Sequence, residues 1–139
     1  MEIVDTLKNG YKIIQNSEMF KFGIDAVLLS YFAFNQIRNN EKIIDLGTGN
    51  GIIPLLLAKS RAKTITGLEI QKENVEIAKK SIALNQLENK INVIQGDIKL
   101  VSKDFSKHSF DSVLTNPPYM INNHGKQNPN DAKLIARHE

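Results

Sequence analysis

The fold is decided by the stretch Lys42-Ile43-Ile44-Asp45-Leu46-Gly47-Thr48-Gly49-Asn50-Gly51. Its first half is a short apolar run, which is typical of a parallel strand that is buried on both faces. The glycines allow a tight turn, and the apolar segment 52–58 that follows has the character of a helix, with Pro54 tolerated in its first turn. This stretch therefore predicts a β-turn-α unit.

The same alternation continues toward the C-terminus. Further strands are predicted at 64–69, 91–95 and 110–114, with a helix at 72–85 and a short helix around 98–101. The helix at 72–85 carries one apolar stripe made by Val75, Ala78 and Ile82. Strands that alternate with helices indicate a parallel sheet with helices on both faces and right-handed crossovers. We therefore expect an open, doubly wound α/β sheet.

The N-terminal residues predict a hairpin and a helix. A β-hairpin at 3–15 is indicated by Asn9-Gly10, a dipeptide that tolerates positive φ in tight turns. Helical spacing of apolar residues then predicts a helix that is capped by Asp25 and ends near 39–40. We expect two parts: residues 1–40, a hairpin and helix that pack on the ligand site, and residues 41–139, the core.

The C-terminal residues have a different character. Residues 122–131 are polar and rich in turn formers, which predicts a mobile loop, and 132–139 predict the start of a helix. A four-stranded sheet would leave its last strand as an uncovered edge, which favours aggregation. We therefore expect a fragment of a longer protein that is truncated after the fourth strand.

Composition narrows the function classes. The 139 residues are 41% hydrophobic, enough for one domain with a core, and contain no cysteine, which excludes disulfides and thiolate metal sites. The three histidines, at 108, 124 and 138, lack metal-ligand spacing, so no metal is expected. No targeting segment or membrane span is apparent, which favours a cytoplasmic protein. The net charge of +3 is compatible with RNA, although any single lysine is more simply explained as solvated surface.

Candidate ligand-binding residues follow each predicted strand. In an open α/β sheet, ligands bind beyond the carboxyl ends of the strands. An acid at the end of each strand is more than packing requires. The acids, amide and glycines that fall at these ends are Asp45, Gly47, Gly49, Gly51, Glu69, Gly96, Asp97 and Asn116.

The chemistry of these residues points to one ligand. Asp45 suits a cationic amine or sulfonium and would repel the phosphate that dinucleotide folds bind through a different glycine spacing. Glu69 suits two ribose hydroxyls, or is an acid near a helix start. Asp97 suits an adenine amino group with Ile98 on the ring, or is a turn residue. A ligand with an amino-acid end, a ribose, an adenine and no phosphate is S-adenosyl-L-methionine.

A second motif follows the last predicted strand. Asn116-Pro117-Pro118-Tyr119 offers an amide oxygen, a backbone without N–H donors and a flat aromatic ring. This corner suits a planar amide-like group that stacks on Tyr119 and donates to Asn116. Taken alone, the motif favours a Pro-Pro turn at the end of a strand, because Asn-Pro is a common start of turns.

Together these motifs resemble the class I S-adenosylmethionine-dependent methyltransferases, which implies a Rossmann-like fold. Their first motif matches 45–51, their second-strand acid Glu69, their third motif 96–97 and their amino-methylating signature 116–119. Within that group the chain is similar to the bacterial tRNA(Val) adenine-37 N6-methyltransferases at 9–15, 22–29 and 136–139.

The resemblance implies an N6-methylation of tRNA adenine. Catalysis would rest on Asn116, Pro117 and Tyr119, and Phe22 and Gly23 would close over the methionine end of the cosubstrate. Packing of the N-terminal helix is the alternative for Phe22. Members of that family continue for roughly another half-domain.

Other functions stay open at this point. The same signature serves glutamine N5-methylation in release factors and N6-adenine methylation in DNA. A module that binds S-adenosylmethionine without transferring methyl is an alternative of another class. A nicotinamide dehydrogenase is disfavoured by the glycine spacing. The oligomeric state is not indicated by the sequence.

Overall fold

A computed structural model describes residues 1–16, 23–100, 109–116 and 135–137 of the chain. Along the chain its elements are β1 (Glu2–Thr6), β2 (Lys12–Asn16), α1 (Ile24–Phe34), β3 (Lys42–Leu46), α2 (Ile52–Leu56), β4 (Thr64–Glu69), α3 (Lys72–Leu84), β5 (Ile91–Gln95), the 3₁₀ turn Ile98–Leu100, β6 (Ser112–Thr115) and β7 (Ile135–Arg137).

The central sheet has the strand order β5-β4-β3-β6-β7. Its first four strands are parallel, and Leu46 at the end of β3 pairs with Leu68 of β4 on one side and with Thr115 of β6 on the other. The carboxyl ends of these strands are therefore level. The chain moves from β3 outward to β5 and returns to β6 on the opposite side of β3, so the topological switch point lies between β3 and β6.

The parallel strands confirm the sequence prediction most closely. The bounds of β3, β4 and β5 are those predicted, and the isoleucines that begin their buried faces, Ile43, Ile65 and Ile91, are buried. The predicted apolar stripe of α3 is also buried. Other bounds differ slightly, since α2 ends at Leu56 and β6 begins at Ser112.

The C-terminal part of the sheet corrects two predictions. Residues Ile135–Arg137 form a strand, β7, which pairs antiparallel with β6, so the helix predicted there is wrong at these residues. The four predicted parallel strands are confirmed, but the expectation that β6 is an uncovered edge is wrong, because β7 pairs with it. An open strand edge presents unpaired N–H and C=O groups, and pairing them outweighs the weak helical preference of a short segment.

The N-terminal hairpin is confirmed, and it docks on α3. β1 pairs antiparallel with β2, and Gly10 has the positive φ of 94° that the turn requires. The Asn85 side chain bonds both backbone groups of Lys12, accepting from its N–H at 2.8 Å and donating to its C=O at 2.6 Å. The N–H of Ile14 donates to the Ser81 hydroxyl at 2.9 Å. Side chains of α3 thus satisfy the outer edge of β2.

Helix α1 differs from its prediction at both ends. Gly23 is the N-cap residue, and Asp25 lies in the first turn without forming a capping hydrogen bond. The helix ends at Phe34 rather than near 39–40. Beyond it, Asn40 adopts a φ of 61° and its N–H donates to the carbonyl of Arg61, which directs the chain into β3.

The described helices include none with the length and apolar character needed to cross a membrane. The division at residue 40 stays a prediction.

Gly67 of β4 packs closely against Thr48, and a substitution at Gly67 therefore tests this part of the fold. A Cβ at Gly67 would lie 2.7 Å from Cγ2 and 2.8 Å from Oγ1 of Thr48. We expect Gly67→Ala to lower the free energy of unfolding by about 1–3 kcal/mol in urea denaturation, because the core must shift to admit the methyl group.

The double variant Thr48→Gly/Gly67→Ala separates this clash from a general effect on β4. It removes the atoms that the methyl group meets, so the two substitutions together should cost less than the sum of the single losses. Additive losses would contradict the proposed contact.

Candidate functional site

Asp45 lies in the middle strand of the sheet, one residue before its end. Its side chain is 1% exposed, and neither carboxylate oxygen has a hydrogen-bond partner within the described ranges. Burial raises the pKa of the carboxyl from 3.8 to about 7; the charge of Glu69 also raises this pKa, while the nearby Thr48 hydroxyl lowers it. The Thr48 hydroxyl lies near Asp45 but has no hydrogen-bond partner among the described residues. A buried carboxylate left without a donor is a strong acceptor for a cation.

The glycine turn after β3 is held against β4. The N–H groups of Gly47 and Thr48 both donate to the Leu68 carbonyl, at 2.8 and 3.0 Å. Gly51 has a φ of 88°, and a Cβ there would approach Cβ of Ala78 at 3.3 Å. The turn therefore requires glycine for its backbone conformation and for close packing on α3.

Glu69 joins the glycine turn to the start of α3. One carboxylate oxygen accepts from the N–H of Gly49 at 2.9 Å, and the other accepts from the N–H of Gln71 at 3.1 Å and the amide of Asn74 at 3.3 Å. A carboxylate has about four acceptor positions, so roughly one remains for a ligand. Glu69 thus braces the start of α3, while its role toward ribose hydroxyls stays a prediction.

The end of β5 brings three further predicted residues to this edge. The N–H of Gly96 donates to the Glu69 carbonyl at 2.9 Å. One oxygen of Asp97 accepts from the N–H of Lys99 at 2.9 Å, which is the turn role that the sequence left open. Ile98 is 45% exposed, and its Cδ1 lies 4.0 Å from the position of a Cβ at Gly47. Ile98 thus offers apolar surface beside the glycine turn.

Asn116 supplies the amide at the same edge. It follows Thr115, whose partner across the sheet is Leu46. Its side-chain oxygen is buried and has no hydrogen-bond partner in the part of the chain that the structure describes. A buried amide oxygen without a donor is costly, which makes it a candidate for binding an N–H group of a ligand.

The structure thus brings most of the predicted site residues to one edge of the sheet. These are Asp45, Gly47, Gly49, Gly51, Glu69, Asp97, Ile98 and Asn116. Gly23 lies exposed at the start of α1, and its assignment to the cosubstrate stays a prediction. Phe22, Pro117 and Tyr119 lie outside the described residues.

Sequence reasoning missed Thr48. Its side chain is buried beside Asp45 and packs on Gly67, so it fixes the spacing between the glycine turn and β4. The signal was Gly67 itself, because a glycine inside a buried strand marks the close approach of another group. Across the described ranges there is no group of three or more His, Cys, Asp or Glu side chains that could hold a metal ion.

Two solved methyltransferase structures are similar to this chain in fold. The chain is similar to an S-adenosylmethionine-dependent methyltransferase from Agrobacterium tumefaciens, with a TM-score of 0.69 and 21% identity over 84% of this chain and 40% of that one. It is also similar to a tRNA (uracil-54, C5)-methyltransferase from Pyrococcus abyssi in complex with S-adenosyl-L-homocysteine, with a TM-score of 0.64 and 20% identity over 84% of this chain and 28% of that one. At these identities the likeness shows the fold.

Sequence comparison adds relatives and a family. The chain is 32% identical to a tRNA1(Val) (adenine(37)-N6)-methyltransferase of Tolumonas auensis and 33% identical to one of Pseudoalteromonas translucida. Each match covers 92% of this chain and 52% of the relative, so the chain spans about half the length of the curated relatives it matches. The model of the methyltransferase small domain matches residues 18–136. The chain therefore belongs to the methyltransferase small domain family.

Proposed function

We propose that this chain binds S-adenosyl-L-methionine at the carboxyl edge of its sheet and methylates N6 of an adenine in tRNA, namely adenine 37 of tRNA1(Val). One observation carries the proposal: Asp45 of β3 and Asn116, directly after the neighbouring strand β6, both hold buried side-chain oxygens that lack a donor among the described residues. Asp45 pairs with Leu114, two residues before Asn116. Strand geometry then separates the α-carbons of Asp45 and Asn116 by about 8 Å, close enough for both to face one reaction centre.

The residues fit the cosubstrate part by part. The Asp45 carboxylate suits the ammonium of the methionine end, because a cation would compensate both of its free oxygens. The acceptor position left on Glu69 suits a ribose hydroxyl. Ile98 suits one face of the adenine ring, and the second oxygen of Asp97 suits its amino group. When bound, S-adenosyl-L-methionine supplies an electrophilic methyl group.

Asn116 has the central role on the acceptor side. The lone pair of adenine N6 is delocalised into the ring, so this nitrogen is a weak nucleophile. The Asn116 oxygen would accept one N6 hydrogen and the Pro117 carbonyl the other, which turns the lone pair toward the methyl group. Tyr119 would stack on the base, a contact worth about 1–3 kcal/mol. Orientation and fixed dipoles together supply on the order of 7–11 kcal/mol in well-aligned reactions.

No protein base is required for this reaction. The methylated nitrogen is acidic enough to lose its extra proton to water. Adenine must leave its stack to reach Asn116, and the stacking to be broken is least where the base is already in a loop. This requirement favours an anticodon-loop adenine over one inside a duplex. With tRNA as the substrate, the location that we propose is the cytoplasm.

The names of the relatives support tRNA as the acceptor. Glutamine of a release factor and adenine of DNA remain alternatives with the same chemistry. An assay that offers a tRNA1(Val) transcript, a release factor and duplex DNA with tritiated cosubstrate distinguishes them. Label in tRNA alone supports the proposal, and label in either of the other acceptors alone contradicts it.

A second candidate function is cosubstrate binding without transfer. It is favoured by the coverage of the relatives, since the chain spans only about half of their length. Heat of S-adenosylmethionine binding without label in any acceptor would select this function. Binding with labelled tRNA would select methyl transfer.

Asp45→Asn tests the cation site. The substitution keeps the shape of the side chain and removes its charge, so the ammonium loses its buried partner. We expect the affinity for S-adenosylmethionine to fall at least about 100-fold in calorimetry, consistent with the 3–5 kcal/mol typical of a broken buried pair. Glu88→Gln, an exposed substitution before β5, is the matched control. Equal affinities of the two variants would refute the assignment.

The same substitution tests the pH dependence of stability. The pKa of Asp45 is raised from 3.8 to about 7 on folding. Folding therefore favours the protonated form of Asp45. As the pH rises above 4, ionisation of Asp45 lowers the free energy of unfolding of the parent chain, and this loss grows up to pH 7 and is constant beyond. Without cosubstrate, the free energy of unfolding of Asp45→Asn minus that of the parent chain should increase by about 4 kcal/mol between pH 4 and pH 8. A difference that does not change with pH would contradict this charge effect.

Asn116→Ala tests the acceptor side. The variant loses the amide oxygen that orients N6, while Asp45 and the glycine turn are unchanged. We expect at least about 100-fold less label in tRNA, with the affinity for S-adenosylmethionine within about twofold of the parent value. Normal labelling by the variant would overturn the role given to Asn116. A matching loss of cosubstrate affinity would instead show that Asn116 belongs to the cosubstrate site.

A further inference from the structure

The amino edge of the sheet, opposite the candidate site, is rich in basic side chains. Two backbone hydrogen bonds bring the segments 38–42 and 59–63 together. The N–H of Asn40 donates to the carbonyl of Arg61 at 3.0 Å, and the N–H of Lys63 donates to the carbonyl of Glu41 at 2.7 Å. A third, from Lys59 Nζ to the carbonyl of Asn9 at 2.6 Å, adds the hairpin turn. The exposed basic residues of these segments, which we call the basic edge, are Lys8, Arg38, Lys42, Lys59, Arg61 and Lys63.

The acids near this edge leave most of its charge uncompensated. Glu41 is buried, accepts from the Ser112 hydroxyl at 3.0 Å and lies 3.8 Å from Arg38. Asp111 accepts from the backbone of Lys42, and Glu88 is exposed before β5. Lys90 adds a seventh cation beside them, with Nζ bonded to the Ser60 carbonyl at 2.8 Å. The candidate site at the other edge instead carries the acids Asp45, Glu69 and Asp97.

An aromatic groove adjoins the basic edge. Tyr31 and Phe34 of α1 line it together with Lys8, Asn35 and Leu56, and its volume is about 430 Å³. Tyr31 is 75% exposed, which is unusual for a large ring that no ligand covers. Lys59 reaches the same region, since its Nζ donates to the carbonyl of Asn9, which also lines the groove. The same Nζ lies 5.3 Å from the centre of the Tyr11 ring. Flat rings beside cations and amides are the groups that bind unpaired bases and phosphates.

We propose that the basic edge and the aromatic groove dock the RNA substrate, with phosphates on the basic edge and an unpaired base against Tyr31. The inference rests on the proposed function and adds to it a second contact surface on the substrate. A strand of five residues is about 17 Å long, so a short RNA stem reaches from this edge to the candidate site. The acidic candidate site repels phosphates, and a distant basic surface supplies the attraction that it lacks.

Charge also decides between possible occupants. A second copy of the chain would present the same positive edge, and the like charges would repel each other. A polyanion gains from every phosphate that it places there, because each contact releases counterions. RNA is therefore the occupant that the charges of this surface fit.

The first experiment neutralises the basic edge. Arg61→Gln/Lys63→Gln is compared with Lys72→Gln/Lys79→Gln, which removes two exposed lysines from α3. The probe is an unmodified tRNA1(Val) transcript. Dissociation constants are measured between about 50 and 200 mM salt, the range over which the affinity of protein–nucleic acid complexes falls steeply. We expect the Arg61/Lys63 variant to bind roughly tenfold more weakly and the slope of log affinity against log salt to lose about 1–2 units. The α3 variant should match the parent chain.

The second experiment tests the groove. Tyr31→Ala removes the exposed ring that lines the groove, and Phe32→Ala removes a neighbouring ring that is 58% exposed and lies outside the groove lining. We expect about fivefold or greater loss of RNA affinity for Tyr31→Ala alone, with the salt slope unchanged. Sedimentation of each variant and of the parent chain shows whether copies associate through this face.

The outcomes separate this inference from the proposed function. Weaker RNA binding with normal S-adenosylmethionine binding supports the docking surface, even if no acceptor is labelled. Unchanged RNA affinity in both edge and groove variants overturns it, even if tRNA is methylated. Equal losses of RNA affinity in the α3 and Phe32→Ala controls also overturn the docking surface. So does a parent chain that dimerises through this face and whose variants bind RNA as tightly as the parent does.

Discussion

The structure depends on one unfavourable group, the buried carboxylate of Asp45. An ionised carboxylate inside a sheet, next to the charge of Glu69 and without a donor among the residues that the structure describes, destabilises the fold on its own. Its position at the centre of the edge where β3, β4 and β6 end explains how such a group is useful. A ligand cation bound there, as proposed, would meet little competition from water, and its binding would restore stability that the free chain lacks.

The rest of the site is held around that carboxylate by hydrogen bonds of the glycine turn and by the close packing of Thr48 on Gly67. Leu68 accepts two N–H groups of the glycine turn, and Glu69 accepts a third from Gly49. The turn is therefore bound to the end of β4 and cannot move independently of the sheet. Because α2 and α3 begin immediately after these residues, the two helices share the same fixed frame as the ligand site.

Much of this frame is predictable from the sequence, and the failures have physical causes. Buried parallel strands are continuous apolar runs, so β3, β4 and β5 were found with their bounds. The level strand ends then follow from topology, which is why most site residues were found together. Strand β7 was missed because its conformation comes from pairing with β6, which no local pattern encodes. Thr48 was missed because its role comes from contact with Gly67 across the sheet.

The opposite ends of the sheet carry opposite charge, and both ends follow from chain topology. Segments that enter parallel strands meet at one edge and segments that leave them meet at the other, so residues far apart in sequence, such as Asn40 and Arg61, become neighbours. The result is an acidic edge suited to a small cation and a basic edge suited to a polyanion. The sequence shows only dispersed lysines, since their clustering requires the fold.

The most direct test of the account is the titration of the Asp45 carboxyl, followed by carbon-13 NMR of the labelled side chain with and without S-adenosylmethionine. We expect a pKa of about 7 in the free chain. With the cosubstrate bound, we expect the carboxylate to stay ionised over the whole pH range in which the protein is folded. The same ordinary aspartate titration in both states would contradict the claim that Asp45 is an unpaired carboxylate reserved for a ligand cation.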